Sequence, residues 1–271
     1  MSPQSHRSAL LKQEELKKLL ASFKKVLIAY SGGVDSTYLL YLAKQALGKE
    51  SVLAVIARSF TYPKDEVKFA VEQAKKLRVR YQLINTDEFS QIKFLNNDRN
   101  RCYYCKKELF TKLKELAQKE KIKYILDGSN FDDLKDYRPG SRARKELGVQ
   151  SPLQEVRLTK KEIRWLSKRA GLSTWNKPAF ACLASRVPYG MKITPEIILR
   201  IERAEKFLKN LGFTQVRVRH HDLLARIEIE KAEINKMLSQ NTRDQVVKKF
   251  EKLGYRFVCL DLKGYRTGSL N

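Results

Sequence analysis

The stretch AYSGGVDSTYLL, residues 29–40, sets two glycines and two serines around a single carboxylate, between an apolar run and a helical pattern. The preceding KVLIAY, residues 25–30, is short, apolar and bounded by a turn signal, so it reads as a buried strand. DSTYLLYLAKQALG then carries apolar residues at helical spacing and stops at Gly48. Strand, glycine-rich turn and helix N-terminus aim several backbone N–H groups at one spot, where the helix dipole adds partial positive charge, and this suits a phosphate. Gly32 and Gly33 let the backbone approach such a ligand closely. Gly-Gly alone fits any ordinary turn, but the full string Ser-Gly-Gly-Val-Asp-Ser is far more specific. It is neither the G-x-x-x-x-G-K of a P-loop nor the G-x-G-x-x-G of a dinucleotide fold, so both of those readings are excluded.

SGGVDS resembles the PP-loop signature SGGxDS of the ATP pyrophosphatases, enzymes that split ATP between its α and β phosphates and adenylate a substrate. The resemblance implies that Ser31, Gly32, Gly33, Val34, Asp35 and Ser36 bind ATP and hold its pyrophosphate and Mg2+, with Asp35 catalytic.

The charge balance is 55 basic against 30 acidic residues, a net +25. This favours partners or substrates that carry phosphate, nucleic acid or small nucleotides, although the basic residues are spread along the chain and a solvated lysine-rich surface would look the same. No apolar run approaches the length of a membrane span. MSPQSHRSALLKQEELKKLL reads as a charged amphipathic helix rather than a signal peptide, and the expectation is a cytoplasmic protein.

Further buried strands are expected at SVLAVIA (residues 51–57), YQLINT (81–86) and YILDG (124–128). Helical patterns separate them, YPKDEVKFAVEQAKKL with Pro63 in its first turn and KKELFTKLKELAQKE. The alternation predicts an α/β fold, a parallel sheet with both faces covered and ligands at the carboxyl ends of its strands, where Gly128 lies. Residues 127–156 look loop-rich. A helix resumes at TKKEIRWLSKRAG, where Thr159 and Glu162 match a capping box. The irregular STWNKPAFACLASRVPYG then connects residues 1–190, the ATP-binding domain with the cysteines, to a smaller α+β domain at 191–271. That domain opens with a helix capped by Thr194 and continues with QVRVRH, ARIEIE, a polar helix over about 233–253, and YRFVCLDL. Alternation in QVRVRH puts Val216 and Val218 on one face and Arg217 and Arg219 on the other. Paired guanidinium groups there, with Arg266 in GYRTG, suit a phosphate; a solvated arginine face is the alternative.

Cys102 and Cys105 form the C-x-x-C of RCYYCKKELF, and Cys182 lies in the irregular connector. Inert thiols, a zinc site or redox pair, and an iron–sulfur cluster are all compatible with this set. No second C-x-x-C is present, and His6, His220 and His221 are distant in sequence. Cys259 shares the parity of Phe257 and Asp261 and reads as a packed thiol.

Several strings coincide with a narrower family. SGGVDS, DGSNFDDLKDYRPG, SPLQE, NKPAFACLASRVPYG, LGFTQVRVRHH with ARIEI, and LGYRFVCLDLKGYRTG together resemble LarE, the ATP-dependent sulfur transferases that make the nickel-pincer nucleotide cofactor. The resemblance runs from about residue 24 to the C-terminus. It implies adenylation of a carboxylate on a pyridinium biscarboxylate mononucleotide, then sulfur insertion to give a thiocarboxylate. It places Glu205 near the substrate, with Arg217, Arg219 and Arg266 on its phosphate, and it implies a homo-oligomer, a hexamer. Cys182 occupies the position where many members keep a sacrificial cysteine. Cys102 and Cys105 are additions that resemble the three-cysteine members, in which Cys102, Cys105 and Cys182 would hold a [4Fe-4S] cluster whose open iron carries an extra sulfide from a sulfur donor. Cluster-dependent tRNA thiolases place their cysteines similarly, so tRNA thiolation is the alternative function. SGGVDS in place of their usual SGGKDS, and the absence of paired zinc-binding C-x-x-C motifs, stand against it.

Overall fold

The computed structural model describes residues 2–134, 139–178 and 181–266. Two compact units are present, Met1–Glu88 with Asn100–Phe180, and Phe89–Arg99 with Ala181–Asn271.

The first unit runs α1 (Pro3–Ala21), β1 (Val26–Ala29), α2 (Val34–Leu47), β2 (Val52–Arg58), α3 (Lys64–Lys76) and β3 (Arg80–Asn85). In the second unit, α4 (Ile92–Leu95) lies in the short first segment. The first unit then resumes with α5 (Arg101–Lys119), β4 (Tyr124–Asp127), α6 (Gly140–Glu146), α7 (Pro152–Glu155) and α8 (Lys160–Arg169). Its sheet has the order β3-β2-β1-β4 and every pairing is parallel. Alternate side chains of the strands go to opposite faces. Val26, Ile28, Val52, Ala54 and Ile56 pack with α1, α2, α3 and α8, while Leu27, Leu53, Val55 and Ile125 pack with α5 and α6. Burial on both sides explains why β1, β2 and β4 read as near-continuous apolar runs, whereas β3, expected as a buried strand, lies at the edge of the sheet and has only exposed and half-buried residues. The strand order reverses between β1 and β4, so the crevice at their carboxyl ends is a topological switch point, where open α/β sheets bind ligands.

In the second unit α9 (Pro195–Asn210) precedes β5 (Val216–His221), β6 (Leu224–Ile229), α10 (Ile234–Leu238), α11 (Gln240–Lys252) and β7 (Phe257–Leu260). β5 and β6 are antiparallel, β6 and β7 parallel. Val216, Val218, Ala225, Ile227 and Ile229 form one apolar face against Leu208, Met237, Val246 and Phe250. Asn97 is one tether of the segment Phe89–Arg99 to this unit, beside Leu95, whose carbonyl accepts from Ile193 N (3.0 Å). The Asn97 amide donates to the carbonyls of Pro188 (2.7 Å) and Met191 (2.9 Å), and its own carbonyl accepts from Gly190 N (3.1 Å).

Three expectations change in detail. Pro63 is the N-cap of α3 rather than a first-turn residue, because its φ of −55° and ψ of 138° are extended. The polar helix over 233–253 is broken at Ser239, whose ψ of 139° ends α10 and caps α11. The loop-rich stretch contains α6 and α7, with residues 135–138 outside the described residues. No helix among the described residues is long and apolar enough to cross a membrane.

Candidate active site

At the end of β1 the chain enters the SGGVDS turn and starts α2 at Val34. Gly32 has φ +70°, and a Cβ there would lie 2.9 Å from both Cα and Cβ of Ala70, so glycine is what lets α3 close on the turn. Gly33 caps α2 with extended backbone and no side-chain hydrogen bond. The first N–H groups of the 14-residue helix are therefore left uncapped by a side chain and point with the positive end of its dipole. Ser31 and Ser36 brace the turn. Their hydroxyls are 3.0 Å apart, Ser31 Oγ accepts from Gly33 N (3.4 Å) and Ser36 Oγ donates to Gly33 O (3.3 Å). Gly128, just after β4, closes the other side. A Cβ on it would stand 2.9 Å from Ser36 N and 3.0 Å from Ser36 Cα. The sequence-expected residues Ser31, Gly32, Gly33, Val34, Asp35, Ser36 and Gly128 thus meet at the switch point between β1 and β4.

Asp35 lies in the first turn of α2. Its Oδ2 accepts from Lys160 Nζ at 2.5 Å, and its Oδ1 is buried with no hydrogen-bond partner. A buried carboxylate oxygen left unmatched is costly unless something charged completes it. The fit to a magnesium ion is good, since magnesium on a nucleotide takes only one or two protein carboxylates and completes its shell with phosphates and water. Lys160 was not singled out from sequence. It opens α8, whose capping box forms as expected: Thr159 Oγ1 accepts from Glu162 N (3.3 Å) and Glu162 Oε2 accepts from Thr159 N (2.8 Å). Lys12 of α1 adds 2.8 and 3.0 Å bonds to Glu162. Burial pushes the Glu162 carboxyl up, but the Lys12 and Thr159 hydrogen bonds outweigh it and hold the group below its ordinary value. A second lysine, Lys177, lies 2.8 Å from Glu66 Oε2 and 3.4 Å from Gly32 O, over the Phe69 ring. On β4, Asp127 accepts from Ser129 Oγ (2.8 Å) and from Ser151 Oγ, and Ser151 in turn accepts from the buried Arg144. That network is the structural content of the SPLQE string.

Cys102 and Cys105, the second and fifth residues of the 19-residue α5, lie near its start, Cys102 exposed and Cys105 half-buried. Positions i and i+3 share one helix face. Cys105 Sγ donates to Glu88 Oε1 at 3.7 Å; burial pushes this Glu88 carboxyl up. Gly140 opens α6 against the same turn, where a Cβ would meet Lys106 Cγ at 2.9 Å. Among the described residues no group of three or more His, Cys, Asp or Glu side chains is arranged to hold a metal ion. The turn thus offers two ligands rather than a complete set.

In the second unit Cys182 precedes a single 3-10 turn, Leu183–Arg186. Its carbonyl accepts from Ser185 N (3.0 Å), Ser185 Oγ (2.8 Å) and Arg186 Nη1 (3.0 Å). Arg186, with no exposed surface, makes a two-pronged pair with Glu205 of α9, Nε to Oε1 at 2.8 Å and Nη2 to Oε2 at 3.0 Å. Glu205 also accepts from Val218 N at 3.0 Å. Burial raises its pKa, yet Arg186 and Arg217 together with the Val218 hydrogen bond overcome this and keep the carboxyl below its usual range. Arg219 donates to Glu228 through Nε (3.1 Å) and Nη2 (2.9 Å), and to Ser185 O (2.9 Å). Arg217 lies 5.1 Å over the Tyr265 ring, its pKa lowered by burial and by the charge of Arg186. Cys182, Glu205, Arg217 and Arg219 therefore belong to one cluster. Both arginines are buried, so the alternative of a solvated arginine face does not hold. Arg266 is exposed and pairs with Asp261 at 3.1 Å, which also meets Arg226 at 3.6 Å. Arg186 was another residue not singled out from sequence. Cys259 is exposed rather than packed, because it shares the outward face of β7 with Phe257 while Val258 and Leu260 pack on the core.

The NAD synthase family profile matches residues 7–118. The chain is 42% identical over 260 residues to an uncharacterized protein of Synechocystis sp., covering 96% of this chain and 97% of that protein. It is 39% identical over 260 residues to the pyridinium-3,5-bisthiocarboxylic acid mononucleotide synthase of Lactiplantibacillus plantarum, covering 96% and 94%. An uncharacterized protein of Methanocaldococcus jannaschii is 34% identical over 248 residues, covering 90% and 92%. With a relative this similar along nearly its full length, and with the SGGVDS turn at the switch point of a parallel sheet, the chain belongs to the LarE family of PP-loop enzymes.

Proposed function

We propose that this protein is an ATP-dependent sulfur transferase that adenylates a carboxylate of pyridinium-3,5-biscarboxylic acid mononucleotide and replaces one of its oxygens with sulfur. The observation that carries the reading is Asp35, whose buried Oδ1 lacks a partner within a loop of uncapped helix N–H groups. The synthase of Lactiplantibacillus plantarum supports the choice of substrate. The substrate carboxylate attacks the α phosphorus, the bond to the bridging oxygen breaks, and pyrophosphate leaves with the electron pair. The N–H groups at the start of α2, with Ser31 and Ser36, hold the phosphates, and Asp35 is the residue that would hold magnesium, which neutralises charge on the pyrophosphate. Arg217, Arg219 and Arg266 bind the phosphate of the mononucleotide, and Glu205 holds the turn that carries Cys182 through Arg186. Sulfur then attacks the acyl carbon and AMP departs.

Cys102, Cys105 and Cys182 are the residues that would hold a [4Fe-4S] cluster, which would supply an extra sulfide. The support is the C-x-x-C on one helical turn. A cytoplasmic enzyme forming a homo-oligomer is part of the same reading. The test is anaerobic purification with iron and sulfide analysis, followed by product assay with the pyridinium mononucleotide and with tRNA. AMP, pyrophosphate and a thiocarboxylate are expected, with loss of activity in Asp35→Ala. ADP and phosphate as products, or sulfur appearing in tRNA alone, would overturn the reading. If Cys182 were sacrificial instead, a Cys102→Ala, Cys105→Ala variant would still complete one turnover and leave dehydroalanine at position 182.

A further inference from the structure

We infer that Lys160 is an exchangeable counter-charge of the phosphate loop: it competes with a divalent cation for Asp35 and, once displaced, neutralises the pyrophosphate that leaves. This rests on the reading of the loop as a nucleotide site. Lys160 Nζ sits 2.5 Å from Asp35 Oδ2, while the second oxygen of the same carboxylate is buried and unmatched. A single ammonium therefore satisfies half of a group that a doubly charged cation would satisfy better.

The lysine is built to let go without its backbone moving. Its N–H donates to Asp132 Oδ2 at 2.8 Å, its neighbour Thr159 is locked in the capping box, and Lys12 clamps Glu162 from α1. Only the four-carbon side chain is left to swing, and 32% of it is solvent-accessible. A part-exposed ion pair adds little to stability, so breaking it costs the fold little. The anchored helix start also keeps the ammonium within a side-chain length of the first turn of α2, where the uncapped N–H groups would hold phosphates. When the bond from the α phosphorus to the bridging oxygen breaks, negative charge grows on the pyrophosphate. An ammonium just released from Asp35 meets it there. The neighbouring Lys161 is exposed, with the same charge one residue away, and serves as an internal control.

The experiment measures binding directly, with MnCl2 alone, followed by the electron paramagnetic resonance of the ion, and with inorganic pyrophosphate, followed by calorimetry. Lys160→Met and Lys160→Gln should bind Mn2+ about tenfold more tightly and pyrophosphate about tenfold more weakly, as expected for removing one nearby charge. Lys161→Met should change neither. Loss of a merely structural residue would weaken both ligands together, and that result, or unchanged affinities, would overturn the inference. The wild-type protein gives a second test that needs no variant. Mn2+ should raise acetylation of Lys160 by acetic anhydride, read by peptide mass mapping, and pyrophosphate should suppress it; no response to either would also overturn it. Neither arm requires turnover. Formation of ADP would overturn the proposed function alone, whereas normal AMP formation with unchanged Mn2+ and pyrophosphate affinities would overturn the exchange alone.

Discussion

The loop after β1 and the arginine cluster of the second unit both concentrate positive potential, yet they do so from different materials. The loop uses main-chain N–H groups, two glycines and one carboxylate within six consecutive residues. The cluster uses side chains from the Cys182 turn, α9, β5 and β6, buries them, and balances them with Glu205 and Glu228. Backbone donors are already part of the helix and need no buried counter-ion. Buried guanidinium groups do need one, because an unpaired charge in a low dielectric is strongly destabilising. Function and stability should therefore separate in the loop and coincide in the cluster.

The sharpest way to break that contrast is Glu205→Ala. It leaves the guanidinium of Arg186, which has no exposed surface, without its carboxylate partner. Urea unfolding should show a loss of about 3–5 kcal/mol, the usual cost of removing one partner from a buried pair. A loss below 1 kcal/mol, on the scale of roughly a surface change, would mean the cluster is not held together by its charges. Asp35→Ala should behave in the opposite way. ATP cleavage should fall by about 10²–10³-fold, the range for losing one preorganised electrostatic contact, while the urea midpoint stays close to wild type. Marked unfolding of this variant would erase the distinction between the two regions.

Gly128→Ala probes the same loop sterically. The added Cβ would press on the Ser36 backbone at 2.9 Å and push the start of α2 away from β4. Overpacking of this kind costs typically about 1–3 kcal/mol, and nucleotide affinity should drop with it. An unaltered melting temperature together with unaltered ATP binding would show that the close approach is not needed.

The smallest effect is on acid stability and belongs to the second unit. His220 is buried beside Tyr255, 3.3 Å from its hydroxyl, and burial together with the charge of Arg200 lowers its pKa from 6.5 to about 4. The unfolded chain therefore binds more protons than the folded one between those values. Stability should be complete above about pH 6.5 and decline as pH falls toward 4. His220→Gln should flatten that decline. If the slope of stability against pH is the same in the variant, His220 is not the group responsible.

How much of this could be read in advance differs between the two regions for the same reason. SGGVDS lies between an apolar run and a helical pattern, so its strand, turn and helix followed from neighbouring residues alone. Gly128 followed from the rule that ligands gather at the carboxyl ends of parallel strands. The capping box at Thr159 was equally legible, being a pattern of four residues. Lys160 lies inside that four-residue pattern, but nothing local shows that its side chain reaches Asp35, 125 positions away. Arg186 likewise sits in an irregular segment whose composition does not reveal a partner on α9.

What the sequence alone determined, then, is whatever depends on periodicity and short turns: the alternating strands and helices, the glycine-rich turn after β1, the valine–arginine alternation of β5, and the family. Its parity could separate Val218 from Arg219, but it could not say that both faces of the strand are buried. Tertiary structure decided which charges face one another, that Asn97 ties the segment Phe89–Arg99 to the second unit, that the face of β7 carrying Cys259 is the exposed one, and that Lys160 and Lys177 flank the SGGVDS turn. Local pattern fixes backbone dihedrals and which face is apolar. Long-range pairing of buried charges depends on where separate elements come to rest, and each such contact is chosen by packing between residues that no window of sequence contains together.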